Sequence, residues 1–88
     1  MDIADWRRKI DDIDKQLLQL LNQRAHCALE IGKLKKAQDI PILSTIREDE
    51  IIRRLIQNNH GPFEEQEIHI IFSTIIEECR KIQLRHYQ

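Results

Sequence analysis

In the first 35 residues, apolar side chains recur at alternating steps of three and four residues. One position of this series carries a charged residue instead. The positions of this seam, which all fall on one face of a helix, are Ile3, Trp6, Ile10, Ile13, Leu17, Leu20, Arg24, Cys27, Ile31 and Leu34. A guanidinium is costly to bury unless an opposite charge or hydrogen bonds compensate it. Arg24 is therefore expected to meet an anion, which is either another side chain or a ligand.

The length of this helical segment predicts a partner. The helical period runs from Ile3 to Gln38 with only Gly32 as an interruption. Such a helix is about 50 Å long, whereas a compact chain of this size has a radius of gyration of about 12 Å. One chain of 88 residues cannot cover the whole seam. A second copy of the chain is the default partner, so we expect a homodimer.

Two further helical segments follow the long one. A loop over Asp39–Thr45 contains the helix breaker Pro41, and the second segment runs over Ile46–Asn59. After a turn, the third segment covers Glu64–His86. No stretch alternates with the period of a strand. The sequence therefore predicts an all-α fold of three helices, one of them very long, in a single domain over residues 1–88.

Charge and cysteine content exclude several classes of function. The chain has 14 Lys and Arg against 15 Asp and Glu, so attraction to nucleic acid or to an anionic membrane is not expected. Cys27 and Cys79 fit buried thiols of a reducing compartment, and Cys27 on the seam is expected in the core. No secretory signal or membrane span is visible, which predicts a cytoplasmic protein. The four histidines lack metal-ligand spacing, so no metal is expected.

Three cations could form an anion site. Arg24 and Lys35 are about 16 Å apart along the helix axis, so that their long side chains can converge on a small molecule. Arg7 is about 42 Å from Lys35 and cannot join them within one chain. In an antiparallel dimer whose long helices cross near Leu17–Leu20, Arg7 of one chain would lie opposite the Arg24–Lys35 stretch of the other.

Structural roles are open for the same residues. The seam cations could extend into solvent or pair with Asp11, Asp14 or Glu30. Thr45 and Glu48 have the spacing of a capping box, which would occupy that glutamate. Gln83 ends an apolar stripe of the third segment, where a buried amide is more often structural than ligand-binding. No nucleophile–base pair is readable, so an enzyme of this sequence would work through placed charges and hydrogen bonds.

Four stretches of the chain resemble the all-α class of chorismate mutases. They are WRRKIDDIDKQLLQLLNQR from Trp6, EIGKLK from Glu30, IPILSTIRE from Ile40 and IIEECRKIQ from Ile75. Together they span nearly the whole chain in this order. The resemblance implies an intertwined, antiparallel dimer of three-helix chains that converts chorismate to prephenate without a cofactor.

The resemblance also implies a role for individual residues. Arg24 matches the arginine that binds one substrate carboxylate, and Arg7 matches the arginine that the partner subunit donates to the other. Lys35 matches the lysine that contacts the ether oxygen and a carboxylate, and Gln83 matches the amide that donates to the ether oxygen. Lys35 and Gln83 are thus the expected catalytic residues.

The second helix supplies further expected substrate contacts, and two more contact residues differ from those of many relatives. Arg47 and Glu48 match the Arg-Glu pair that opens the second helix, where the glutamate meets the substrate hydroxyl. Many relatives carry Asp in place of Ser44 and Ser in place of Cys79, and a thiol is a weaker donor than a hydroxyl. Two other functions share this pattern. They are isochorismate–pyruvate lyase, which has the same fold, and a non-catalytic helical dimerisation module.

Overall fold

Three α-helices joined by two short loops make up residues 1–87, which are the residues that the computed structural model describes. The helices are α1 over Ile3–Ala37, α2 over Thr45–Asn58 and α3 over Glu65–Tyr87. Each helix end lies within one residue of the prediction from the sequence, and these residues contain no strand. The predicted all-α architecture of three helices with a very long first one is confirmed.

Side-chain caps fix where the first two helices begin. The Asp2 carboxylate accepts from the backbone N–H of Asp5, and the Asp5 carboxylate accepts from that of Asp2, which forms a capping box. At α2 the cap is Ser44, whose Oγ accepts from the backbone N–H of Arg47 at 3.3 Å. These bonds satisfy N–H groups that have no acceptor within the helix.

The capping box predicted for Thr45 and Glu48 is wrong. Thr45 is the first residue of α2 and not its cap, because Ser44 already has the extended backbone and the hydroxyl that a cap needs. The Glu48 carboxylate does not fold back on the helix start. It forms an ion pair with Arg80 on α3 instead, so it faces the interior of the chain.

Helix α3 packs against both other helices and supplies most of the core. Its buried residues are Ile68, Ile76 and Cys79, and the other buried hydrophobic side chains are Ile52 of α2 and Ile42 of the first loop. Gly32 is the one buried residue of α1 within the described chain. A Cβ atom at Gly32 would lie 3.3 Å from Cγ of Gln83, so the glycine lets α3 approach α1 closely at this point.

The loop between α1 and α2 is tied to both long helices. Lys35 Nζ donates to the carbonyl oxygen of Ile42 at 3.0 Å, and the Tyr87 hydroxyl donates to that of Ile40 at 3.1 Å. Ile42 itself is buried. The loop is therefore held at the end of the bundle where α1 finishes and α2 begins.

The N-terminal half of α1 extends beyond the rest of the chain. The radius of gyration is 16.0 Å and the longest dimension is 54 Å, against about 12 Å expected for the radius of a compact chain of this length. Seam residues in this half are between 49% and 69% exposed, and they are Ile3, Trp6, Ile10, Ile13, Leu17 and Leu20. A contiguous apolar face of this kind marks an interaction surface.

No helix within residues 1–87 is both long enough and apolar enough to cross a membrane.

Two isoleucines of α3 provide a test of this packing. Replacing the buried Ile68 with Ala should lower the free energy of unfolding by about 2–5 kcal/mol, because the lost side chain leaves a cavity. Ile70 is 59% exposed on the same helix, and its replacement with Ala should change that free energy by less than about 0.5 kcal/mol. Urea denaturation of both variants at one protein concentration measures the difference. Equal losses would contradict the packing of α3 described above.

Candidate active site

A cavity of about 270 Å³ opens between the three helices. Its volume is near the lower end of the range of about 300–1,000 Å³ that small-molecule sites occupy. Seven of the eight side chains predicted from the sequence line it, namely Arg24, Lys35, Ser44, Arg47, Glu48, Cys79 and Gln83. The eighth, Arg7, does not. Residues that are up to 59 positions apart in sequence thus surround one space of small-molecule size.

Positive charge dominates the walls of the cavity. Its lining includes four cations, Arg24, Lys35, Arg47 and Arg80, and one carboxylate, that of Glu48. An excess of fixed cations in a recess with apolar walls raises the local potential and attracts anions. The cavity is therefore suited to a ligand with more than one negative charge.

The seam cations have no carboxylate partner among the described residues of their own chain. Within residues 1–87, neither Arg7, Arg24 nor Lys35 forms an ion pair. Glu30, the nearest carboxylate in sequence to Arg24, pairs with Lys33 at 3.2 Å instead. Arg24 is half-buried and lines the cavity. The intrachain alternative of a paired seam arginine is thus not realised in the single chain.

Lys35 is held at the loop end of the cavity. It lies in the last turn of α1, is half-buried, and donates to the Ile42 carbonyl. An ammonium has three N–H donors, so this single bond leaves others for a ligand. The buried Ile42 fixes the position of the carbonyl, which in turn orients the ammonium.

Gln83 is oriented by the backbone of α1. Its Nε2 donates to the carbonyl oxygen of Ala28 at 2.7 Å, across 55 residues of sequence. Because Gly32 has no side chain, Cβ and Cγ of Gln83 can lie close to α1. Because the amide NH₂ carries two protons, one can bind Ala28 while the other remains available. The amide is thus positioned as a donor and not only as a structural group.

The first turn of α2 presents three of the predicted residues. Ser44 lines the cavity while its hydroxyl caps the helix. Arg47 lies on the rim, where its guanidinium is 3.5 Å from Glu50. Glu48 points toward α3, where both of its carboxylate oxygens accept from Nη1 of Arg80, at 3.0 Å and 2.7 Å.

The two cysteines differ in their surroundings. Cys79 is buried and lines the cavity, as a thiol of the core. The expectation that Cys27 is also buried is wrong for the single chain, in which Cys27 is exposed like the apolar seam residues Leu20 and Ile31. Both thiols are free. Cys27 contributes to the edge of the same cavity.

Sequence reasoning missed two residues of this site. Arg80 lines the cavity four residues after Ile76, and this spacing on a helix could have placed it beside the stripe that contains Gln83. Gly32 stands in the sequence only as an interruption of the helix, although it makes room for Gln83. No sequence signal predicts that contact, because it depends on how α1 and α3 cross.

No group of three or more metal-ligating side chains capable of holding an ion occurs in the described part of the chain.

Comparison with known proteins places the chain in a family. A model of the family described as chorismate mutase type II matches residues 6–84. A bifunctional chorismate mutase/prephenate dehydratase of Aquifex aeolicus is 33% identical over 86 residues, which are 93% of this chain and 24% of that protein. The chain thus spans about a quarter of the length of this relative.

Solved structures agree with the match. Form II of the chorismate mutase of Thermus thermophilus superposes with a TM-score of 0.94 at 29% identity, over 98% of each chain. The chorismate mutase of Helicobacter pylori in complex with prephenate superposes with a TM-score of 0.88 at 30% identity, over 94% of this chain and 90% of that one. The chain therefore belongs to the chorismate mutase type II family.

Proposed function

We propose that the protein converts chorismate to prephenate, and that the cavity between the three helices is its active site. One observation carries the proposal: the cavity surrounds a space of about 270 Å³ with four cations and a single carboxylate. Chorismate is a dianion of small-molecule size. The solved relative from Helicobacter pylori holds prephenate, the product of this reaction.

The reaction needs no nucleophile. Chorismate rearranges within one molecule, and its ether bond breaks ahead of the formation of the new carbon–carbon bond, so that negative charge grows on the ether oxygen. Donors that are aimed at this oxygen stabilise the transition state more than the bound substrate. Lys35 and Gln83 take this role in the proposal.

Preorganisation of the two donors supports these roles. The Ile42 carbonyl holds the Lys35 ammonium, and the Ala28 carbonyl holds the Gln83 amide. Both groups keep further N–H donors. A donor that is already oriented does not have to reorganise as charge develops, and this is the main advantage of an enzyme site over water.

The remaining residues would bind and fold the substrate. Arg24 binds one carboxylate, and Glu48 accepts from the substrate hydroxyl, with Arg47 beside it. Ser44 and Cys79 complete the walls as weaker polar contacts. Binding of both carboxylates would hold chorismate in the folded conformer in which the reacting carbons are close.

A second copy of the chain would complete each site. The exposed seam of α1 supports an intertwined antiparallel homodimer, because a stable chain rarely leaves such an apolar face in water. With the two α1 helices crossing near Leu17–Leu20, Arg7 of one subunit lies opposite the Arg24–Lys35 stretch of the other. Arg7 would then bind the second carboxylate of chorismate, at both sites by symmetry.

The setting of the enzyme follows from the same features. We propose that residues 1–88 act as one domain in the cytoplasm, where reducing conditions keep Cys27 and Cys79 as thiols. Placed charges and hydrogen bonds suffice for the rearrangement, so the proposal includes no cofactor and no metal. Nucleic acid and membrane have no part in it, since the chain is almost neutral.

Replacing Arg24 with Leu tests the function directly. The purified protein should consume chorismate and release prephenate, while Arg24→Leu should lose about 100-fold or more in kcat/KM because one carboxylate is left without its cation. The variant should remain dimeric, since Leu fits the apolar seam. Chorismate absorbance and sedimentation measure the two properties.

Three outcomes would contradict the proposal. A folded wild-type dimer without chorismate turnover would exclude the mutase. Pyruvate release from isochorismate as the faster reaction would identify the lyase. A wild type without turnover of either substrate, together with an Arg24→Leu variant that gains stability, would identify a dimerisation module.

Replacing Gln83 with Met tests the assignment of the ether-oxygen donor. The variant keeps the length of the side chain but removes the N–H groups, so kcat should fall by about 100-fold to 1,000-fold with little change in KM. Gln66 is exposed on the same helix, and Gln66→Met provides the matched control. Steady-state kinetics separate kcat from KM. An unchanged kcat in Gln83→Met would remove the amide from the mechanism.

Mixing two inactive variants tests the donated arginine. Arg7→Ala and Arg24→Ala should each be nearly inactive alone, but a mixed dimer contains one intact site. After subunit exchange at equal concentrations, about a quarter of the wild-type activity should return, because half of the dimers are mixed and each carries one good site of two. Mixed dimers that form without recovered activity would show that both arginines act within one chain.

A further inference from the structure

Arg80 is a cation of the cavity to which the chemistry above gives no role. It lies on α3 between Cys79 and Gln83, and its side chain lines the cavity. Its guanidinium donates hydrogen bonds to the Glu48 carboxylate and to none of the other predicted site residues. The role of Arg80 therefore has to be sought in this one contact.

The contact has the geometry of a fixed pair. Nη1 of Arg80 lies 3.0 Å from Oε1 and 2.7 Å from Oε2 of Glu48, so one nitrogen spans both oxygens. The two side chains are 27% and 26% exposed, which reduces screening by water and salt relative to a surface pair. Charge-assisted bonds of this length are among the strong hydrogen bonds of proteins.

The pair links the two helices that carry opposite walls of the site. Glu48 is in the first turn of α2 and Arg80 is in α3, 32 residues later. The position of the carboxylate is therefore set relative to α3, the helix that also carries Gln83. Each carboxylate oxygen has a second lone pair, which leaves acceptor capacity for a ligand hydroxyl.

Without Arg80, the carboxylate would have other partners. Arg24, Lys35 and Arg47 line the same cavity, and any of them would attract an unpaired glutamate at close range. Such a pairing would withdraw both the acceptor for the substrate hydroxyl and one of the cations that bind the dianion. A dedicated partner on α3 prevents both losses.

We propose that Arg80 is a positioning residue that holds the Glu48 carboxylate toward the substrate hydroxyl and away from the substrate-binding cations. The inference rests on the proposed function, because it concerns the same site and the same substrate. It extends that function because Arg80, which does not contact chorismate in the proposal, orients Glu48, which does.

A double-mutant cycle tests the role. Arg80→Met should lower kcat/KM by about 10-fold to 100-fold, mainly through a higher KM, since the hydroxyl takes no part in the bonds that break and form. In a Glu48→Gln background the same substitution should cost less than about 3-fold, because its target is already gone. Kinetics with chorismate and urea denaturation are measured on all four proteins.

Two controls separate this proposal from the function on which it rests. Arg85 is exposed on α3 outside the cavity, and Arg85→Met should retain wild-type kcat/KM. Turnover by the wild type and by this control reports on the mutase itself. Coupling between positions 48 and 80 reports on Arg80 alone.

Arg80→Lys guards against a variant that fails to fold. Since a single nitrogen spans both oxygens of Glu48, a lysine ammonium should restore most of the activity lost in Arg80→Met. An equal loss of kcat/KM in the wild-type and Glu48→Gln backgrounds would show that Arg80 binds substrate directly. A loss of stability with unchanged kinetics would show that it only joins α2 to α3. Either result overturns the proposal.

Discussion

The length of α1 is the constraint on which the rest of the structure depends. A helix of 35 residues is about 52 Å long, and among the described elements only α3, with 23 residues, packs against it. The same helix therefore has two functions along its length. Its C-terminal half holds Arg24 and Lys35 over a cavity, while its N-terminal half leaves an apolar face exposed. We propose that this face and Arg7 meet a second copy of the chain.

Electrostatic preorganisation explains how such a small chain forms the active site that we propose. The described residues do not neutralise Arg24 or Lys35 with a carboxylate, and backbone carbonyls orient Lys35 and Gln83 without removing their charge or donor capacity. The glutamate of the site has its own partner in Arg80. Cations that remain unpaired inside a recess favour a dianion, and folding supplies the energy that keeps them there.

Periodicity was enough to predict the helices, because each segment has its own apolar stripe and the first two end at Pro or Gly signals. It also singled out Arg24, since the other positions of the seam are apolar and a charged side chain there is unexpected. Family resemblance added the residues that no pattern connects, such as Lys35 with Gln83. The cap at Ser44 was missed because Ser and Thr are adjacent and both can cap a helix.

Contacts between helices could not be predicted in this way. The pairing of Glu48 with Arg80, the room that Gly32 leaves for Gln83, and the exposure of Cys27 all depend on where α3 crosses the other helices. Local spacing contains no information about that crossing. These contacts decide how the side chains of the predicted residues are oriented toward one another. The identities of the residues could therefore be predicted from the sequence, but the orientation of their side chains could not.

A crystal structure with a bicyclic dicarboxylate analogue of the transition state tests the central claim most directly. We predict that the ether oxygen of the analogue lies about 3 Å from Lys35 Nζ and from Gln83 Nε2. We also predict one carboxylate on Arg24 and the other on the Arg7 of a second subunit. An analogue bound outside the cavity, or held with both carboxylates by a single chain, would contradict the account.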